Sequence, residues 1–267
     1  MDASVELVKR LLPSVVHIHT EVPAAHPSAR MLGDERMGTG TVVDPSGLIL
    51  TVNYVVMGGE TIQVSFAKGR TQRAEIVAQD FELGLALLKV KRTGLPAVPV
   101  AASDDLDRGE PVFALAATGP RERRVSGGLL SYLGEFEAYW EYLLERSLVS
   151  TASNPGFGGG PLFTVRGRMV GVVSLNLGEI VRSSLAIPGE CYLGHREEYL
   201  RHGRAISRAP RAWLGVFAHP LDEGVVVAGL VPGGPGERIA LEVMRDSELK
   251  RLEVTGGNRA DFYKQIS

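Results

Sequence analysis

The chain lacks sequence features that are typical of several classes of protein. Its 267 residues include one cysteine, Cys191, so an intramolecular disulfide is impossible and cysteine usage says nothing about the redox compartment. The net charge is −2, which gives no bulk electrostatic reason to expect binding to nucleic acid or to an anionic membrane. No apolar run approaches the ~18 residues that a membrane-spanning helix needs. We therefore expect no nucleic-acid partner and no membrane span.

The amino-terminal residues also lack the pattern of an export signal. Residues 1–6 contain neither the basic segment nor the apolar run of a signal peptide. The sequence as written therefore predicts a cytoplasmic protein, or a periplasmic or other extracytoplasmic one if a leader has been removed. Hydrophobic residues make up 44% and charged residues 22% of the chain, which is ordinary for a globular protein.

What the sequence does contain is a long series of short β-branched segments separated by glycine turns. One block runs from Val15 to Leu88 and includes a hairpin signature around the Pro-Ser-Gly turn at residues 45–47. A second block occupies residues 111–187, after a polar connector at residues 91–110. These blocks predict an all-β fold of two six-stranded antiparallel barrels, at about residues 13–95 and 105–190.

A few segments stand outside this pattern of strands. Helical spacing predicts short helices at residues 3–12 and 194–203, and residues 22–36 are expected to form a surface loop. His17 and His19 share one face of the first predicted strand, but no third ligand lies at a supporting spacing. We therefore expect neither a metal site nor a cofactor.

A glycine-dense segment precedes the apolar strand at residues 161–164. It reads Asn-Pro-Gly-Phe-Gly-Gly-Gly-Pro-Leu from residue 154 to residue 162. Because glycine has no Cβ atom, such a loop allows backbone N–H groups to converge on a small negative ligand.

This loop resembles the nucleophile loop of the HtrA/Deg family of trypsin-like serine proteases, which reads N-P-G-N-S-G-G-P-L. Residues 38–56 resemble the family segment G-S-G-F-I-I-D-x-x-G-Y-I-L-T-N-N-H-V-V. Further matches follow in the family's order at residues 79–89, 103–106, 125–131, 171–176 and 185–188. The resemblance covers residues 13–190 and implies a two-barrel, trypsin-like protease domain.

The resemblance also implies which residues stand at the three catalytic positions. Tyr54 takes the place of the histidine, Gly84 that of the aspartate and Gly158 that of the serine. A triad needs a hydroxyl nucleophile, an imidazole that accepts its proton and a carboxylate that orients the imidazole. A phenol with an ordinary pKa of ~10 is a poor proton acceptor at neutral pH. We therefore expect a pseudoprotease with a degenerate triad rather than an enzyme.

The cleft itself remains in this interpretation and has two alternative roles. It either holds an apolar side chain or a peptide strand, or Tyr54 simply fills the space left by the missing side chains. The oxyanion-hole-like residues are Gly156, Phe157 and Gly158, and the walls of the specificity pocket are Ser174, Leu175 and Asn176.

The carboxyl-terminal part resembles the family's PDZ domain only in part. Trp213, Leu214, Gly215 and Val216 resemble its carboxylate-binding loop, and residues 224–236 resemble its second strand and following turn. The segment that would form the groove helix is missing. We therefore divide the chain into a protease-like domain, 1–204, and a truncated PDZ-like unit, 205–267, whose last ten residues are expected to fray.

The function expected from this pattern is the binding of proteins or peptides, or scaffolding with itself or with active HtrA homologues. Two alternatives remain open. One is a serine-type endopeptidase with a rewired nucleophile, and the other is a structural remnant without any ligand. The hydroxyl residues near the glycine loop that such a nucleophile would come from are Ser126, Ser150, Thr151 and Ser153.

Overall fold

The computed structural model describes residues 3–138, 142–154, 156, 158–177, 183–209, 211–221, 224–238, 242–245, 248–251 and 256–264. Strands and helices are numbered in chain order. The first half of the chain contains α1 (Ala3–Leu11), β1 (Val15–Glu21), α2 (Ala29–Leu32), β2 (Glu35–Asp44), β3 (Leu48–Val52), α3 (Asn53–Val56), β4 (Thr61–Ser65), β5 (Thr71–Arg73), β6 (Glu75–Asp80) and β7 (Leu85–Lys89).

The strands of the first half form one antiparallel sheet in the order β5-β4-β1-β2-β3-β7-β6. The hairpin predicted around residues 45–47 is β2 and β3, joined by a tight turn in which Gly47 donates its N–H to the Asp44 carbonyl (3.0 Å). The sheet has seven strands rather than six because Ala74 separates a short β5 from β6 and donates its N–H to Ile62 of β4 (2.9 Å). The loop expected at residues 22–36 contains α2 and the start of β2.

The second half supplies a closed barrel. Its strands are β8 (Pro111–Ala116), β9 (Arg124–Ala138), β10 (Tyr142–Ser150), β11 (Pro161–Thr164), β12 (Met169–Leu177) and β13 (Ser183–Pro188), followed by α4 (Gly189–Leu193) and α5 (Arg196–His202). Neighbouring strands pair in the order β10-β13-β12-β11-β8-β9, and β9 closes the ring by pairing with β10. The predicted six-stranded second barrel is confirmed, and the predicted two-barrel, all-β fold with it.

The two halves share one apolar core. Ile49 and Leu87 of the first sheet belong to the same buried cluster as Leu115, Phe163 and Leu185 of the second barrel. The alternating pattern of β-branched residues therefore buries side chains both inside each barrel and between the barrels. No helix in the described part of the chain is long and apolar enough to cross a membrane.

The carboxyl-terminal segment forms two small hairpins and a helix. Its elements are β14 (Val216–Leu221), β15 (Gly224–Leu230), β16 (Glu242–Arg245), β17 (Glu248–Arg251) and α6 (Arg259–Lys264). The last ten residues, expected to fray, instead include α6, because Tyr263 is buried and stacks on Phe81 with ring centroids 6.0 Å apart. Arg259 adds a hydrogen bond to the Phe81 carbonyl (2.9 Å). The segment thus packs against the loop between β6 and β7.

Candidate functional site

The turn that carries Tyr54 is fixed by polar contacts. β3 ends at Val52, and α3 begins with the buried Asn53, whose N–H donates to the Gly84 carbonyl (2.7 Å). Gln79 donates to the Asn53 side-chain oxygen (2.9 Å). The Arg36 guanidinium donates to the carbonyls of Tyr54 and Met57, both at 2.9 Å. The position of the Tyr54 side chain is therefore set by a rigid turn.

The glycine loop approaches Tyr54 from the second barrel. Thr39 donates its N–H to the Gly158 carbonyl (2.9 Å), and Gly159 donates to the Val173 carbonyl (2.7 Å). Gly159 has a φ of +98°, and a Cβ there would overlap the Thr39 carbonyl. Only glycine fits this crossing between the barrels, which explains part of the glycine run.

Tyr54 occupies the space in front of Gly158. Its hydroxyl donates to the Ser174 carbonyl (2.7 Å), and a Cβ at Gly158 would overlap that hydroxyl and lie 2.7 Å from the same carbonyl oxygen. A serine side chain at residue 158 and the Tyr54 hydroxyl therefore cannot occupy this site together without movement. This geometry corresponds to the second of the two cleft interpretations.

A second tyrosine, which no sequence motif marks, occupies the equivalent space beside Gly84. Tyr142 at the start of β10 is buried, and its ring lies where a Cβ at Gly84 would be, with Cε1 at 2.5 Å. Its hydroxyl donates to Ser174 Oγ (2.6 Å). Tyr54 and Tyr142, the tyrosine pair, thus converge on Ser174 and occupy the places of side chains that residues 158 and 84 lack.

The loop that ends at Gly84 is built on a buried carboxylate. Asp80 accepts hydrogen bonds from the N–H groups of Glu82 and Leu83, both at 2.9 Å, and from the Tyr199 hydroxyl (2.6 Å). Arg208 forms an ion pair with Asp80 (3.1 Å). Burial and the neighbouring Asp80 charge raise the pKa of Tyr199, so this phenol stays neutral. The contacts of Asp80 hold this loop in place and do not depend on a catalytic role.

The other predicted cleft residues lie as follows. The Gly156 N–H donates to Asn154 Oδ1 (3.1 Å), so it is already bonded within the loop. Phe157 lies outside the described residues. Ser174 is buried, Leu175 is half-buried, and Asn176 accepts a hydrogen bond from the Asn154 N–H (3.3 Å).

Chemically, the described part of this cleft is rich in hydroxyl groups. The Tyr54 hydroxyl donates to the Ser174 carbonyl and the Tyr142 hydroxyl to Ser174 Oγ. Of the hydroxyl residues near the loop, Ser126 and Ser153 lie with their Oγ atoms 3.2 Å apart. Ser150 and Thr151 are bonded to backbone carbonyls of the same barrel, at 3.4 and 3.5 Å.

His17 and His19 do not form a shared site. Burial lowers the pKa of His17, with contributions from Arg123 and His19, so its imidazole is held neutral inside the first sheet. His19 instead pairs with Glu35 across the sheet, at 2.8 Å. No group of three metal-ligating side chains occurs in the part of the chain that the structure describes.

Two barrels with a cleft between them define the class of the trypsin-like peptidases. The family model described as a trypsin-like peptidase domain matches residues 38–172 of this chain. The chain belongs to the HtrA/Deg family of trypsin-like serine proteases.

The chain is similar to HtrA-type and DegP-like proteases both in sequence and in structure. A probable periplasmic DegP-like serine endoprotease of Halomonas elongata is 30% identical over 236 residues, which is 81% of this chain and 48% of the relative. A variant of the HtrA-type protease AlgW, solved with a tripeptide, superposes with a TM-score of 0.67 at 25% identity, over 88% of this chain and 78% of that one. Deg5 gives a TM-score of 0.62 at 28% identity, over 75% of this chain and 95% of its own.

These comparisons correct one expectation. The prediction that the chain is not an enzyme is wrong, because its relatives are named serine endoproteases and HtrA-type proteases, which points to an enzyme. The chain spans about half the length of the curated relatives that it matches, 48% for the first two. The expectation of a cytoplasmic protein gains no support either, since those relatives are named periplasmic.

Proposed function

We propose that this HtrA-family chain binds extended polypeptide segments, and that it does so in the cavity between its carboxyl-terminal hairpin and the two barrels. The observation that carries the proposal is the cavity itself, which has a volume of about 1180 Å³. A site of this size, lined by apolar side chains together with both carboxylates and guanidinium groups, suits a peptide. The HtrA-type relative solved with a tripeptide supports the same class of ligand.

The walls of the cavity come from different parts of the chain. The hairpin contributes an apolar wall from β14 and β15, with Phe217, Val225 and Val227. The barrels contribute Phe81 and Tyr142 on the opposite side. In this proposal the barrels supply the wall that the groove helix supplies in a PDZ domain.

The loop Trp213–Val216 borders this cavity and is the proposed site for a terminal carboxylate. Trp213 and Gly257 exchange two backbone hydrogen bonds (3.0 and 2.9 Å), and Gly215 has a φ of +66°. The backbone N–H groups of Leu214 and Gly215 have no partner among the described residues. Two such N–H groups in a turn are suited to an anionic group.

The proposal assigns binding to the cavity rather than to the glycine loop. In this proposal, the triad positions are those of Tyr54, Gly84 and Gly158, and the tyrosine pair fills the space between them. It keeps the division into residues 1–204 and 205–267. The ligands are segments of other proteins, including copies or homologues of this chain, and the periplasmic relatives favour an extracytoplasmic location.

A second candidate function is serine-type endopeptidase activity through a nucleophile other than residue 158. The names of the relatives favour it, and the neighbouring hydroxyls of Ser126 and Ser153 are where a nucleophile would be sought. Covalent labelling by a fluorophosphonate, followed by mapping of the modified residue, tests this candidate directly. Labelling that Ser126→Ala or Ser153→Ala abolishes supports it, and absence of labelling together with absence of casein cleavage rejects it.

Fluorescence polarisation with a panel of labelled decapeptides, each with a free and an amidated carboxyl terminus, tests peptide binding. The decisive pair of variants is Val225→Asp and Val226→Asp. Both valines are exposed on β15, at 65% and 48%, but only Val225 lines the cavity. We expect Val225→Asp to weaken binding at least tenfold and Val226→Asp to leave it within twofold. Equal effects of the two variants, or no binding by any peptide, would contradict the proposal and favour a remnant without ligand.

A further inference from the structure

The first sheet ends in a strand whose outer edge pairs with no other strand in the described part of the chain. β5 lies at one end of the strand order and pairs with β4 alone, with Thr71 opposite Ser65 and Arg73 opposite Gln63. An edge strand presents a row of backbone N–H and C=O groups that another extended chain can pair with.

The hydrogen bonds identify which groups face outward. Phe66 donates its N–H to the Arg70 carbonyl (2.9 Å), and Ala74 donates to the Ile62 carbonyl (2.9 Å). Because hydrogen-bonded and non-hydrogen-bonded pairs alternate along antiparallel strands, Thr71 and Arg73 turn their N–H and C=O groups away from β4. No backbone partner for these groups occurs among the described residues.

Several cationic residues lie near this edge. Lys68 and Arg70 in the turn before β5, Arg73 within it and Arg121 from the second barrel all have exposed side chains. Arg121 lies across the backbone of Gly69. None of the four forms an ion pair with a described acidic residue, although the chain as a whole has a net charge of −2.

The loop that presents Arg121 is anchored next to the sheet. The half-buried Arg123 donates to the Val15 carbonyl (2.9 Å), the Ser65 carbonyl (3.2 Å) and the Gly119 carbonyl (3.1 Å). This residue ties the second barrel's loop to β1 and β4. The cationic side chains are therefore held beside β5 by two separate elements of the fold.

We propose that the outer edge of β5 is a docking site for an acidic polypeptide segment, which pairs with Thr71 and Arg73 as an added strand. Its carboxylates would contact Arg70, Arg73 and Arg121, whose planar guanidinium groups match carboxylates in bidentate pairs. Charged side chains on an edge strand commonly serve only to prevent it from pairing with the edge of another sheet. Arg121, however, comes from the other barrel and is not part of the edge. The free edge and the cations together fit an extended acidic partner.

The test uses a fluorescein-labelled peptide of alternating Glu and Thr residues, which favours extended structure, and measures its affinity by polarisation at low and high salt. We expect the double variant Arg70→Glu/Arg121→Glu to weaken binding at least tenfold. The control Lys91→Glu/Arg92→Glu makes the same change in net charge at exposed residues after β7 and should change binding less than twofold.

A second pair of variants examines the backbone. Thr71→Pro removes an outward N–H group without removing a bond to β4, whereas Thr71→Ala keeps it, and both lose the contact of the Thr71 hydroxyl with Ser65 (2.8 Å). We expect Thr71→Pro to weaken peptide binding at least fivefold relative to Thr71→Ala, with circular dichroism confirming that both variants are folded. Equal affinities in this pair, equal losses in the two double variants, or binding of anionic lipid vesicles without binding of the peptide would each overturn the proposal.

Discussion

Introducing a hydroxyl at residue 158 is expected to destabilise the protein because of Tyr54. In Gly158→Ser the new Cβ would overlap the Tyr54 hydroxyl and lie 2.7 Å from the Ser174 carbonyl oxygen. The tyrosine must then move and give up its 2.7 Å hydrogen bond to that carbonyl. In Tyr54→Ala the phenol is absent and only the close approach to the Ser174 carbonyl remains, so the same serine should cost less.

The overpacking and the lost hydrogen bond together determine how much Gly158→Ser destabilises the protein. Overpacking a well-packed site costs about 1–3 kcal/mol, and a lost hydrogen bond costs about 0.5–1.5 kcal/mol. Together they predict a loss of about 1.5–4.5 kcal/mol of unfolding free energy for Gly158→Ser. In a chain of this size each kcal/mol lowers the Tm by roughly 2–4 °C. We expect the Tyr54→Ala background to reduce the cost by at least ~1 kcal/mol, which double-mutant cycles resolve.

Urea denaturation of the four proteins of the cycle measures this coupling. A matched background is Tyr132→Ala, which removes a tyrosine that is 39% exposed on the surface of the second barrel. Gly158→Ser should cost as much in that background as in the natural protein. If its cost is the same in the Tyr54→Ala background too, Tyr54 does not occupy the space at residue 158 and the reasoning fails.

Three further predictions concern Gly84, Cys191 and Glu198. Gly84→Asp should destabilise the protein, because of the Tyr142 ring and a φ of +72°, and Tyr142→Ala should relieve part of the loss in thermal unfolding. Partial burial raises the pKa of the Cys191 thiol from 9.0 to about 12, so thiol labelling of the folded protein at pH 8 should be much slower than labelling of the unfolded chain. The stability that this thiol contributes should be present below pH 9 and disappear towards pH 12; a prompt reaction at pH 8 would contradict this. Hydrogen bonds from the N–H groups of Ile206 and Ser207 lower the pKa of Glu198 from 4.5 to about 2. Its contribution should therefore be present above pH 4.5 and lost towards pH 2, and Glu198→Gln should flatten the fall in stability over that range.

Strand positions were predictable wherever turn chemistry and apolar pattern agreed. The first residues of β8 and β11 follow directly from Pro111 and Pro161, since proline suits the first residue of a strand. The hairpin of β2 and β3 follows from its Pro-Ser-Gly turn. These signals are local and do not depend on how the rest of the chain folds.

Features that depend on long-range packing were not predictable in this way. Tyr142 and Gly84 are far apart in the sequence, and only tertiary packing brings them together. Likewise α6 lies in a polar segment, and its docking depends on Tyr263 reaching Phe81 and on the His26 ring donating to the Tyr263 carbonyl (3.0 Å). The sequence shows that Gly84 and Gly158 have no side chain, but it does not show which residues fill the space beside them.

The most direct test of the account is amide hydrogen exchange with and without the tightest-binding decapeptide of the panel. If the peptide occupies the proposed cavity, protection should increase at residues 214–218 and at residues 79–82, which line it from opposite sides. Residues 156–160 and 174–176, around the tyrosine pair, should exchange at unchanged rates. Protection confined to those last two segments would place the peptide in the cleft between the barrels and contradict the account.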